Sequence, residues 1–141
     1  MASPPFDASI TGINVREKIA LEVGAKVWHD RDYTFTDIPE PMLEGEFFQQ
    51  NHKSNGAGTA IVVSVSKPAT IFVALEDGGR DGGFSSSLPL AGWSEMQGAV
   101  LSTTCCDLSR IFRLDTDAGP TALPLTTTGS VVMTIVVVDH T

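Results

Sequence analysis

One segment, Val131-Val-Met-Thr-Ile-Val-Val-Val138, constrains this chain more than any other. Successive side chains of a strand point to opposite faces, and here both sets are apolar, as expected of a strand central in its sheet. The run is far too short to cross a bilayer, so membrane insertion is not expected. Two shorter segments repeat the strand period on one face. Ala60 to Ser66 aligns Ile61, Val63 and Val65, and Thr70 to Leu75 aligns Ile71, Val73 and Leu75. The link Ser66-Lys-Pro-Ala69 reads as a tight hairpin loop, with Pro68 where no ladder donor is needed.

The rest of the chain reads as short strands between turn signals. Residues 1–13 form an extended N-terminal arm, stiffened by Pro4 and Pro5 and broken at Gly12. From Asn14 to Trp28 two signals compete: Asn14 with Glu17 fits a helix capping box, while Ile19, Leu21 and Val23 alternate as in a strand. The strand is favoured, with Gly24 as a bulge. Tyr33–Thr36, Glu46–Gln50 and Arg110–Leu114 are further strands, and Leu123–Thr126 fits a short edge strand. Glu76 to Ser87, rich in Gly and Ser, reads as a long loop. Leu88 to Leu101, with Trp93, fits no single pattern. The expectation is one all-β domain over 14–141, a two-sheet, jelly-roll-like β-sandwich.

Composition agrees. Charged residues make up only 18% of the chain against 42% hydrophobic, and Ser, Thr, Gly and Pro fill the difference. That balance does not suit helical bundles, whose outer faces need Lys, Glu and Arg. The net charge of −8, with Lys and Arg spread singly, makes nucleic acid and anionic membranes poor partners. Met1 to Phe6 has neither a basic nor an apolar signal region, so neither a signal peptide nor an anchor is expected there. Cys105 and Cys106 are adjacent, and on a strand they would face opposite ways. A vicinal disulfide, a bond to another chain and two free thiols with one buried are the three readings, the last being the ordinary one.

Chemistry is sparse. His29, His52 and His140 are scattered and no spaced cysteine pair accompanies them, so a structural zinc site has no support in spacing. Neither a nucleophile elbow nor a phosphate loop is present, and the expectation is a chain that is not an enzyme and needs no cofactor. Calcium is the one cation the sequence suggests, through Asp115 and Asp117 before Gly119, or Asp77 with Asp81; ordinary Asp-Gly turns explain both. Trp28, Tyr33 and Trp93 are the aromatics to consider for stacking on a sugar, with Trp28 better read as core.

The segment Trp28, Asp30, Arg31, Tyr33, Phe35 and Pro39, then Lys67-Pro-Ala-Thr-Ile-Phe-Val-Ala-Leu-Glu-Asp77, then Gly92-Trp-Ser94, resembles β-sandwich accessory domains of bacterial secreted hydrolases and polysaccharide-degrading enzymes. The likeness covers roughly residues 20 to 115. It implies a jelly-roll-like module with a carbohydrate-binding or architectural role, an extracellular or particle-surface location, and structural roles for Asp30, Arg31 and Tyr33, with Asp30 and Arg31 tying a turn to the sheet. Two readings follow. The first is a structural or surface protein that assembles with copies of itself into a filament, coat or virion component, through Phe6, Ile10 and Ile13 of the arm and through edge strands. The second is a free-standing carbohydrate-binding module using Trp93, Tyr33, Asp77, Arg80 and Asp81.

Overall fold

The computed structural model describes residues 6–13, 15–52, 60–76, 83–125 and 131–140. Within them the chain forms β1 (Ala8–Thr11), β2 (Val15–Ala20), β3 (Phe35–Asp37), β4 (Glu46–Gln50), β5 (Val62–Val65), β6 (Ala69–Leu75) and α1 (Phe84–Leu90). Then come β7 (Ser94–Glu95), β8 (Leu101–Thr103), β9 (Asp107–Leu108), β10 (Arg110–Thr116), β11 (Gly119–Ala122) and β12 (Met133–Asp139). The architecture is all-β and sandwich-like, as expected. Residues 15–20 are strand, and the capping-box reading of that stretch is not realised.

A six-stranded sheet in the order β2-β4-β12-β6-β10-β7 lies at the centre, and every pairing in it is antiparallel. The Val131–Val138 run supplies β12, which sits between β4 and β6, with Ile135 opposite Val73 and Val136 opposite Phe47. Both faces of this strand are buried because both faces of the sheet are covered. Met133, Ile135 and Val137 join Ile71, Val73, Leu75 and Phe112 in one core, closed by the sheet β1-β5-β11 and by Phe84 and Leu88 of α1. Val136, Phe72, Ala74, Ile111 and Phe47 face the other way, into a second core closed by Trp28, Phe35, Leu101 and Leu108 around the small sheet β3-β8-β9.

The expected hairpin between residues 60 and 75 forms differently. β5 and β6 belong to different sheets, and their aligned apolar faces look at each other across the first core. A two-residue hairpin turn needs positive φ, which Pro68 cannot adopt and which neither Lys67 nor Pro68 shows. The Ser66 amide bonds Asp7 O at 2.9 Å, and the Pro68 carbonyl accepts from His140 N at 3.2 Å. The partner strand turns the same corner: β10 pairs β6 up to Thr116 with Ala69, and β11 pairs β5 from Gly119 with Val65. Two paired strands therefore switch sheets together, as at the corners of packed sandwiches.

Three further expectations change. Residues 8–11 pair with β5 in register, Ala8 is buried, and Phe6, Ile10 and Ile13 pack on the first core. Residues 8–11 of the segment read as an extended arm are thus a strand of the sandwich, because the apolar side chains of this stretch find cover within the chain. Residues 84–87, expected as loop, open a helix that runs to Leu90: Phe84 and Leu88, four apart, put one face on the core, and Pro89 lies in the last turn. The extended edge near Leu123 is shifted to Gly119–Ala122.

Candidate functional site

The sheet order decides which side chains can meet. β4 and β6 both run antiparallel to β12, so they run parallel to each other and end on the same side. His52, just past β4, and Glu76, just past β6, therefore share that end with Met133 and with Arg110, where β12 and β10 begin. The loop Thr104-Cys105-Cys106 between β8 and β9 precedes β10 and reaches the same place.

At this end Trp28 is fully buried and donates its indole N–H to Met133 O at 3.0 Å. The His52 ring stands edge-on to Trp28, centroids 4.5 Å apart, and Tyr33 approaches both, 5.9 Å from His52 and 6.4 Å from Trp28. Asp30 Oδ1 accepts the His52 backbone N–H at 2.8 Å, which fixes the turn holding Trp28 to the end of β4. Burial alone would raise the Asp30 carboxyl; the His52 amide and the Arg31 guanidinium outweigh it and hold the group below the usual range. The resemblance implied this role for Asp30. Among the described residues the Arg31 side chain reaches Asp30 alone, through the carbonyl at 2.9 Å and Oδ2 at 3.3 Å.

The two cysteines lie in a loop and not on a strand, so the expected alternation does not apply. Thr103 folds this loop. Its Oγ1 accepts the Cys105 and Cys106 amides at 3.2 and 3.0 Å and donates to Cys106 O at 2.8 Å. Thr104 stitches the loop to the Tyr33 segment, its hydroxyl accepting Thr34 N at 3.1 Å and its amide donating to Thr34 O at 2.9 Å. The result is convergence: one ligand atom each from His52, Cys105 and Cys106 lie within 4.8 Å of one another. Both cysteines are free, Cys105 exposed and Cys106 partly covered. Burial, with the neighbouring Cys105, pushes the Cys106 thiol up to about 12, while Thr103 opposes the rise. The Glu76 carboxyl adds to the rise.

Of the residues singled out in the sequence, Tyr33 lies at this end, half-buried beside exposed Asp30, Arg31 and Asp32. Asp77, Arg80 and Asp81 lie outside the described residues. Trp93 does not belong here. It is 4% exposed, packed in the first core, and has no face open for a sugar. Asp115 stands at the far end of β10, where Thr70 Oγ1 at 2.6 Å, Arg113 at 3.1 Å and His140 at 3.6 Å occupy its Oδ1. Thr70, with Arg113, holds its carboxyl low. Asp117 is exposed in the following turn, and neither residue belongs to a cluster of three metal-ligating groups among the described residues. The calcium reading gains no site from them, since Arg113 already neutralises Asp115. What the sequence reading missed is the meeting of His52 with Cys105 and Cys106, for which adjacent cysteines were the only signal.

No family model and no curated protein matches the chain. Solved structures do. A β-glucuronidase from glycoside hydrolase family 2 superimposes with a TM-score of 0.67 over 96% of this chain, at 14% identity, and the match spans 14% of that chain. A GH138 enzyme targeting pectin rhamnogalacturonan II superimposes with a TM-score of 0.60 over 91% of this chain, at 20% identity and 16% of that chain. At such identities the likeness is one of fold, to a part of much longer chains.

Proposed function

We propose that this chain is a non-catalytic β-sandwich module of the carbohydrate-associated kind, and that it contacts glycan through the surface around Tyr33. The observation that carries the reading is the fold likeness, which takes in nearly all of this chain and only a small part of each glycoside hydrolase. A module-sized piece recurring inside such enzymes suits an accessory role better than a stand-alone filament. Tyr33 offers a partly open aromatic beside Asp30, Arg31 and Asp32, and an aromatic face rimmed by carboxylate and guanidinium groups matches the mixed surface of a sugar ring. The assembly reading loses one of the two elements it relied on, because Phe6, Ile10 and Ile13 pack on their own core.

A glycan array followed by titration calorimetry tests the reading. Binding of a plant or bacterial polysaccharide that Tyr33→Ala weakens at least about fivefold supports it, since stacking contributes on the order of 1 kcal/mol. No binding across the array, together with concentration-dependent growth of large particles in sedimentation velocity, would return the structural-assembly reading to first place.

A further inference from the structure

Three elements that are distant in sequence bring metal-ligating residues to one end of the central sheet. His52 hangs from the end of β4, Glu76 from the end of β6, and Cys105 and Cys106 from the β8–β9 loop. The first two are fixed to the central sheet and the third to the small sheet, so anything bound among them bridges two layers. The ligand atoms of His52, Cys105 and Cys106 already lie within 4.8 Å of one another. Around a tetrahedral zinc, with metal–sulfur bonds of about 2.3 Å and metal–nitrogen bonds of about 2.0 Å, donor atoms sit roughly 3.5–3.8 Å apart. A contraction of about 1 Å separates the two arrangements, within the reach of side-chain rotation on an exposed loop.

We propose that His52, Cys105 and Cys106 form a binding site for a thiolate-preferring divalent metal, zinc fitting the donor set, with Glu76 as the fourth ligand. One imidazole, two thiols and a carboxylate select zinc over the hard cations, which favour all-oxygen cages. Binding releases the two thiol protons, and the ion takes bonds from both thiolates and from the His52 imidazole, whose ligand atoms already converge. Thr103 serves as a positioning residue, since its hydroxyl holds the amides of both cysteines and thereby the curl of the loop. The His52 amide, anchored on Asp30, does the same for the imidazole. Four protein ligands leave no open position, so the role is a clasp between the small sheet and the central sheet.

The test uses the full chain, reduced and freed of metal. Zinc titration by calorimetry should give one ion per chain, and cobalt should give thiolate-to-metal charge-transfer absorption with the intense visible bands of a tetrahedral site. Cys105→Ser, a change at an exposed position, should weaken zinc on the order of 100-fold or more and remove much of the charge-transfer band. Glu76→Gln should weaken it less while keeping that band. Added zinc should raise Tm in the parent chain and leave Tm unchanged in Cys105→Ser/Cys106→Ser, whose fold is checked by circular dichroism. Absence of saturable zinc binding, or equal affinity in the double variant, overturns the site. So does a Cys105–Cys106 disulfide that survives mild reductant in the folded chain. Unchanged affinity in Glu76→Gln overturns the assignment of the fourth ligand.

Discussion

The indole N–H of Trp28 donates to the main-chain carbonyl of Met133, 105 positions later, at 3.0 Å in a fully buried setting. The Gln50 amide donates to the same oxygen, also at 3.0 Å. Trp28→Phe keeps an aromatic ring and removes one donor, and because the carbonyl retains Gln50 the expected loss is modest, about 1–2 kcal/mol in urea denaturation. A double-mutant cycle with Gln50→Leu should show coupling of at least about 0.5 kcal/mol, because only the double variant strips both donors. Strict additivity would mean that the shared oxygen does not link the two residues.

Gly12 and Gly24 make a matched pair. Both have positive φ, +94° and +92°, but a Cβ on Gly12 would lie 2.0 Å from Ala60 O, whereas one on Gly24 would meet nothing within 4 Å. Gly24→Ala should therefore cost only the conformational strain, about 1–2 kcal/mol. Gly12→Ala must also push the start of β5 away from the chain that leaves β1, and thermal denaturation should show a clearly larger fall in Tm. Equal falls would contradict the close approach.

Trp93 and Leu90 separate burial from exposure on neighbouring turns. Trp93→Ala should destabilise by about 3–5 kcal/mol, as for a large aromatic removed from a packed core. Leu90 is 90% exposed, and Leu90→Lys should change stability by less than about 0.5 kcal/mol. A folded Trp93→Ala chain of parental stability would show that the indole is not a core residue.

Glu95 on β7 binds Arg110 on β10 through both carboxylate oxygens. The Arg110 hydrogen bond holds its carboxyl below the usual carboxylate range, against the opposing effect of burial. With the folded value depressed, the unfolded chain binds the proton more readily, so this contribution to stability is present above the unfolded Glu value and fades as pH falls through the folded one. Glu95→Gln should flatten the acid side of the stability–pH curve, bringing the two proteins closer together as pH falls. A parallel offset at every pH would assign the loss to packing instead.

The legible part of this fold was the part written in local periodicity. The two-faced apolar run 131–138 announced a central strand, and the alternation of Ile71, Val73 and Leu75 named the face that β6 gives to the core. Periodicity fixes a face and not a partner, which is why β5 and β6 looked like a hairpin. The helix at 84–90 hid behind three serines, its only signal being Phe84 and Leu88 at helical spacing. Trp93, between Gly92 and Ser94, gave no period at all, and its burial follows from α1 and β10 packing around it. The His52 cluster was illegible for a deeper reason. Its members are joined by the parallel run of β4 and β6 about β12, a relation that exists only once the sheet order is known.

The place of β12 has a consequence for how the chain is made. The last of the described strands is a middle strand in space, paired on one side to β4 and on the other to β6. During synthesis the central sheet stays split into β2-β4 and β6-β10 until residues 133–139 leave the ribosome. Two open edges and both apolar faces must wait for them, and exposed edges of this kind invite pairing with other chains. A nascent chain stalled before Met133 should consequently be held by chaperones, while emergence of residues 133–139 should close the sheet in a single late event.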